Sequence, residues 1–184
     1  MLEVRRFELD GLLEIRPKRF ADERGFFSET WNEAACREAG IAIDFIQDNH
    51  SLSKARGTLR GLHFQAPPAA QAKLVRVSRG SAFDVAVDLR PQSPTYRQWA
   101  GVTLSAAEWN QLLIPEGFAH GFLTLEPDTE VQYKASAAYS ASHDRAIRFD
   151  DPVIGIDWPV AAAELILSDR DSNAPLLADV ETGF

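Results

Sequence analysis

The chain has 184 residues, enough for one full hydrophobic core, and its 45% hydrophobic and 25% charged content is that of an ordinary globular protein rather than a disordered or fibrous one. A net charge of −8 argues against general nucleic-acid binding, which needs a basic surface, yet leaves room for a local Arg and Lys cluster that takes one small anion such as a diphosphate. No apolar run approaches the length of about 18 residues that reads as a membrane span. The first residues, Met-Leu-Glu-Val-Arg-Arg-Phe-Glu, mix charges in place of a basic stretch and an apolar core, so no signal peptide and a cytoplasmic location are expected. Cys36 is the single cysteine and reads as a helix side chain with no internal disulfide.

In chain order, residues 1 to 31 alternate in short apolar pieces broken at Asp10-Gly11, Pro17 and Asp22-Glu23-Arg24-Gly25, which predicts two or three strands with tight turns. Asn32 is a suitable N-cap for a helix over Glu33 to Ala39, with Gly40 supplying the left-handed residue that ends it. From Ile41 the pattern returns to strands, passes the polar run Gln47 to Ser51, and turns at Lys54 to Thr58. Pro67-Pro68 requires a loop before a strand begins near Lys73. Phe83, Val85, Val87 and Leu89 then alternate with Asp84, Asp88 and Arg90, predicting one core face and one polar face. Further strands are expected at Trp99 to Leu104, Gln111 to Ile114, Ala119 to Leu125 and Thr129 to Ala137, and a tail from Asp151 packs a short helix or loops across them. Turn signals every 8 to 12 residues or so argue for an all-β sandwich or barrel.

The densest chemistry lies between Arg60 and Lys73, where an arginine, His63, Gln65, Gln71 and a lysine fall within fourteen residues. By themselves they could hold a metal, move protons or form a polar seam. Gly57 with His63, and Pro115-x-Gly117-x-x-His120, resemble the two signatures of the cupins, which are jelly-roll barrels that usually bind a metal. Gln65 replaces the second histidine of the first signature, and Ala69 and Ala70 stand where its glutamate belongs. A catalytic metal takes three protein ligands, and an ammonium at Lys73 would repel it, so a metal-free pocket is expected.

More specific are Asp22-x-Arg24-Gly25-x-Phe27-x-Glu29, Gln47-Asp48-Asn49-x-Ser51-x-Ser53, Leu59-Arg60-Gly61-Leu62-His63-x-Gln65, Lys73-Leu74-Val75, Asp84-Val85-x-Val87-Asp88-Leu89-Arg90, Ser93-Pro94-Thr95, Ile114-Pro115-x-Gly117-x-Ala119-His120-Gly121-Phe122 and Ile156-x-Trp158-Pro159. In this order, over about Arg16 to Leu177, the chain resembles the dTDP-4-dehydrorhamnose 3,5-epimerases. That resemblance implies a cupin-like jelly-roll β-barrel with a few short helices, in one domain over residues 1–184. It implies epimerisation at C3 and C5 of a dTDP-4-keto-6-deoxyhexose, a nucleotide-sugar substrate, without cofactor or metal. A homodimer with no nucleic-acid or membrane partner is implied too. The alternatives are a single-position 3- or 5-epimerase, a metal-dependent cupin, or a sugar-binding cupin without catalysis.

By the same resemblance His63 is the base, Asp171 its orienting carboxylate and Tyr133 the acid. Imidazole suits the first role because its ordinary pKa of about 6.5 lies near neutrality. Lys73 and Arg60 are the cations near the enolate; Lys73 shares strand parity with Val75 and Val77 and should point inward, whereas Arg60 has the wrong parity relative to His63 and needs a bulge. Arg24, Glu29, Gln47, Asn49 and His120 match substrate contacts, and Tyr139 matches the ring that stacks on thymine. Ala138 departs from the family pattern, where a second aromatic often stands.

Overall fold

A computed structural model describes residues 2–184. Four strands rather than two or three precede the helix: β1 (Glu3–Arg6), β2 (Leu13–Arg16), β3 (Phe20–Asp22) and β4 (Gly25–Phe27). The difference comes from β3 and β4, three residues each and exposed throughout, which leave no buried alternation to read. The helix α1 (Glu33–Glu38) starts where expected; the Asn32 side chain accepts a hydrogen bond from the Ala35 amide, a cap that contributes about 1 kcal/mol, and Gly40 follows with φ +83°.

Nine more strands follow: β5 (Gln47–Ser53), β6 (Leu59–Gln65), β7 (Lys73–Arg79), β8 (Ser81–Asp88), β9 (Trp99–Ser105), β10 (Gln111–Ile114), β11 (Phe118–Thr124), β12 (Thr129–Ala135) and β13 (Asp144–Ala146). A one-turn helix, α2 (Asp169–Ser172), lies in the tail. The strands form a six-stranded sheet in the order β1-β2-β10-β7-β12-β5 and a five-stranded sheet in the order β13-β6-β11-β8-β9, antiparallel throughout, with β3–β4 as a separate hairpin. This is the cupin-like jelly roll the resemblance implied. No helix among the described residues is long and apolar enough to cross a membrane.

Three apolar clusters bury the central strands of both sheets. Between the sheets lie Val75, Val77, Ala86, Leu104, Leu112, Phe122 and Val131. The tail covers the outer face of the five-stranded sheet, against Leu62, Phe64, Val85, Val87 and Leu89. On the outer face of the six-stranded sheet, Leu13, Ile15, Leu74 and Leu113 pack with Cys36 of α1 and Ile41.

The polar face of β8 therefore differs from the simple reading of its alternation. Val85, Val87 and Leu89 face outward under the tail, while Asp84 and Asp88 lie on the parity of Ala82 and Ala86 and are themselves 1% and 0% exposed. Buried carboxylates need partners. Asp88 accepts from the backbone and guanidinium of Arg90 and from the hydroxyls of Ser93 (2.6 Å) and Thr95 (2.7 Å). Burial alone would raise its pKa, but these bonds outweigh it and hold the carboxyl down at about 2. The Ser93-Pro94-Thr95 motif thus serves the fold.

Two features position the site. Opposite β11, His63 pairs with His120 but Arg60 pairs with Phe122, so three steps on β6 match two on β11. This bulge sits at Gly61, which has φ +129° and approaches so closely that a Cβ there would stand 2.5 Å from the Gly121 Cα. It reverses parity and puts Arg60 on the same side as His63. Secondly, Ile166 forms a parallel bridge with Thr58, its amide donating to Gly57 O (2.8 Å) and its carbonyl accepting from Leu59 N (3.0 Å). The tail is thereby tied alongside β6 just before α2.

Candidate active site

At one end of the space between the sheets the apolar lining gives way to polar side chains around a cleft of about 450 Å³. Its wall includes Arg60, His63, Lys73, His120, Tyr133 and Asp171, drawn from β6, β7, β11, β12 and α2. Five separate elements converge because inward parity on both sheets, the Gly61 bulge and the tied tail all point to the same end.

His63 Nε2 lies 2.6 Å from Asp171 Oδ1. Ser168 caps α2 and fixes that carboxylate twice: its hydroxyl donates to Asp171 Oδ2 (2.8 Å) and accepts from the Asp171 amide (3.1 Å). Burial pushes the Asp171 carboxyl up, but the hydrogen bond and charge of His63, the Ser168 hydroxyl and Arg170 together hold it below the usual range. An ionised carboxylate only accepts, so Nε2 carries the proton that faces Asp171, and in the neutral imidazole Nδ1 keeps the lone pair of a base. Asp169, two positions earlier, is exposed and does not touch the imidazole, so the two acidic residues are cleanly distinguished.

His120 is buried beside His63, its Nε2 3.0 Å from each oxygen of Asp84. Lys73 enters from β7 with Nζ 5.9 Å from the centre of the Tyr133 ring. Enclosure lowers its pKa to about 8, although the carboxylates of Asp84 and Asp144 favour the charged form. Burial raises the Tyr133 phenol, with Arg60 pulling it down and Asp144 adding to the rise, so it stays a protonated donor at neutral pH. Arg60 lines the cleft from β6, with Nε donating to Ser53 Oγ (3.3 Å) and Nη2 to Leu52 O (3.4 Å).

Gln65, at the position of a cupin ligand, is fully engaged elsewhere: Nε2 donates to Ala69 O (2.6 Å) and Ala138 O (3.2 Å), and Oε1 accepts from Ser140 N (2.7 Å). Both cleft imidazoles are bound to carboxylates, and among the described residues no three His, Cys, Asp or Glu side chains converge as a metal would require.

Five of the residues expected in the site do not line this cleft. Arg24, at the tip of the β3–β4 hairpin, is 86% exposed and paired with Asp22 at 2.6 Å, and Glu29 accepts from Asn32. Gln47 and Asn49 bond each other (3.0 Å) on β5, where Asn49 pairs directly with Tyr133, and its Nδ2 is buried without a partner among the described residues. The Tyr139 amide donates to Gln47 (3.0 Å). In return the cleft contains residues that the sequence reading passed over: Arg170, Ser168 and Ser51, with Asp84 behind His120. Arg170 carried one visible signal, its place between the capping Ser168 and Asp171; Asp84 was read only as the polar side of a strand.

The sequence profile described as dTDP-4-dehydrorhamnose 3,5-epimerase matches residues 6–179. A protein of that name from Sinorhizobium fredii is 51% identical over 170 residues, covering 92% of this chain and 87% of the relative. The structure of dTDP-4-dehydrorhamnose 3,5-epimerase from Bacillus anthracis with TDP and PPi bound superposes with a TM-score of 0.93 at 46% identity, over 96% of this chain and 100% of that one. A dTDP-6-deoxy-D-glucose-3,5-epimerase from Legionella pneumophila, in complex with dTDP-4-keto-L-rhamnose, also gives 0.93, at 42% identity over 98% and 95%.

Proposed function

This chain belongs to the dTDP-4-dehydrorhamnose 3,5-epimerase family, and from that premise we propose that its cleft removes and replaces the protons at C3 and C5 of a dTDP-4-keto-6-deoxyhexose. Both protons are α to the C4 carbonyl. His63 takes one of them, the C–H electron pair moves onto O4 to give an enolate, and the Tyr133 hydroxyl returns a proton to carbon from the opposite face. Lys73 and Arg60 face the oxyanion as it forms. Electrons and protons balance without a redox step. The observation that carries this reading is the His63–Asp171 pair, 2.6 Å apart, in one cleft with an enclosed ammonium and a protonated phenol.

Incubation with dTDP-4-keto-6-deoxyglucose in D₂O, followed by NMR, tests it. Deuterium should enter C3 and C5; entry at one position only selects a single-position epimerase, and no entry overturns the reading. Tyr133→Phe separates the two half-reactions. Proton removal by His63 should continue, so deuterium still enters, but with the opposite-face donor gone it returns from the same face and inverted product falls about 10²-fold. Equal losses of exchange and inversion would assign Tyr133 another role.

We infer also a homodimer in which the β3–β4 hairpin serves the second copy. Phe20, Phe26 and Phe27 on this hairpin are 54%, 52% and 67% exposed, and Arg24 and Glu29, which match substrate contacts of the family, do not line the cleft of their own chain. Apolar area and site residues left outside a chain are both accounted for by a two-fold partner. Sedimentation at micromolar concentration should give twice the chain mass, and a monomer there would rule this out.

A further inference from the structure

The β3–β4 hairpin has little of its own to hold it. Each strand is three residues long and exposed throughout, and a lone two-stranded ribbon is marginal in water at best, so the direction of Arg24 and Glu29 has to be set from outside the hairpin. What sets it is the turn between β9 and β10, and chiefly Trp109. The Trp109 ring meets Phe26 edge-on with centres 4.7 Å apart, and its Nε1 donates to the Ser28 hydroxyl at 2.9 Å. At the entry to β3 the Arg19 guanidinium lies 5.5 Å from the Phe26 ring centre and 5.7 Å from that of Trp109, and its Nη2 donates to Ala107 O (3.1 Å). Gln111 Nε2 donates to Thr30 O (2.9 Å), so the residues on both sides of Glu29 are tied to the same turn.

The turn itself does not need an indole. Trp109 has φ +60°, a left-handed value that suits glycine and is uncommon for a bulky side chain. Neighbours secure the backbone: the Ser105 hydroxyl accepts from Glu108 N (3.0 Å), the Ser105 carbonyl accepts from Trp109 N (3.0 Å), and the Asn110 side chain accepts from Ser105 N (3.2 Å) and donates to Glu14 (2.7 Å). A strained backbone whose side chain serves only the hairpin points to a constraint from function. Resting on the epimerase and dimer readings above, we propose that Trp109 is a positioning residue for the cleft of the second copy: it touches no substrate, but its ring and N–H fix the hairpin so that Arg24 and Glu29 enter that cleft. Such an anchor acts on binding, because the hairpin carries no group of the proton chemistry. A hairpin set in advance lowers the entropy lost when substrate contacts close.

Trp109→Gly removes the ring and relieves the left-handed backbone, so the turn should persist and the effect should be confined to the hairpin. KM for dTDP-4-keto-6-deoxyglucose should rise about tenfold with kcat within about twofold, and Trp109→Phe, which keeps a ring against Phe26 without the N–H, should fall between. Mixed dimers, purified through a different tag on each chain, show on which cleft the residue acts. Pairing a Trp109→Gly chain with a His63→Ala chain leaves one working cleft, which receives an intact hairpin, so KM should return to the wild-type value. Placing both substitutions in one chain beside a wild-type chain should leave KM raised about tenfold, because the working cleft then receives the loosened hairpin. The opposite pattern in the mixed dimers, an unchanged KM in Trp109→Gly, or a loss confined to kcat would each overturn the proposal. If Trp109→Gly does not fold, Trp109→Phe and Ser28→Ala carry the same mixed-dimer comparison. The readings fail separately: absent wild-type exchange in D₂O sinks the epimerase reading and a monomer in sedimentation sinks the dimer, whereas intact exchange in a dimer indifferent to Trp109 sinks this one alone.

Discussion

Replacing His63 by alanine is expected to lower deuterium entry at both C3 and C5 by at least about 10³-fold, because a single imidazole is the base for either proton and general-base contributions reach 10²–10⁴-fold. The common dependence is the informative part. The cleft has a second imidazole, His120, but its Nε2 is held by both oxygens of Asp84 and the residue is 6% exposed, so it cannot substitute for a base that must receive a carbon-bound proton. Asp171→Asn should cost about 10²-fold at both positions. The amide can present N–H as well as oxygen to Nε2, so the imidazole loses the acceptor that fixes its tautomer and the negative charge that stabilises it once protonated. His63 is only partly buried, so its loss should not come from unfolding, whereas Asp171 is buried; circular dichroism of both variants separates lost chemistry from lost fold. Exchange at C3 that survived His63→Ala while C5 exchange vanished would mean two bases, and wild-type exchange at both would dismiss the assignment.

How far this site was legible before folding depended on whether its residues obey local periodicity. Lys73 and Tyr133 sit on regular strands with Val75 and Val131 as parity markers, and both point where those markers say. Arg60 broke parity, and the bulge that was required to bring it in is present at Gly61. β5 was harder: Gln47, Asn49, Ser51 and Ser53 face the interior from a strand whose other side is also mostly polar, so alternation carried little signal. The alternation of β8 was visible but its sense was not, because which side of a strand faces between the sheets depends on the tail that covers the other side. Asp171 came from resemblance alone.

Lys73→Met should separate function from stability. Loss of the cation facing the oxyanion is expected to slow exchange by about 10²–10³-fold, the scale of one preorganised electrostatic contact. In the wild type the same logic predicts exchange falling as pH rises above about 8, where Lys73 loses its proton. Stability should move the other way. The folded pKa of about 8 lies below the ordinary 10.5, so between these values the unfolded chain binds more protons and stability rises with pH; below about 8 the full cost of enclosing the ammonium is present. That interval corresponds to at most about 3.5 kcal/mol, and water entering the cleft reduces it to on the order of 1–2 kcal/mol. Methionine keeps the unbranched shape without the charge. The variant should therefore be more stable than wild type by about that amount in denaturant titrations at pH 7, with the gain fading toward pH 10. A variant that lost exchange and stability together would show that the ammonium is retained for its attraction to Asp84 and Asp144; loss of exchange with a gain in stability would show a charge kept enclosed at a cost, for an enolate that exists only during turnover.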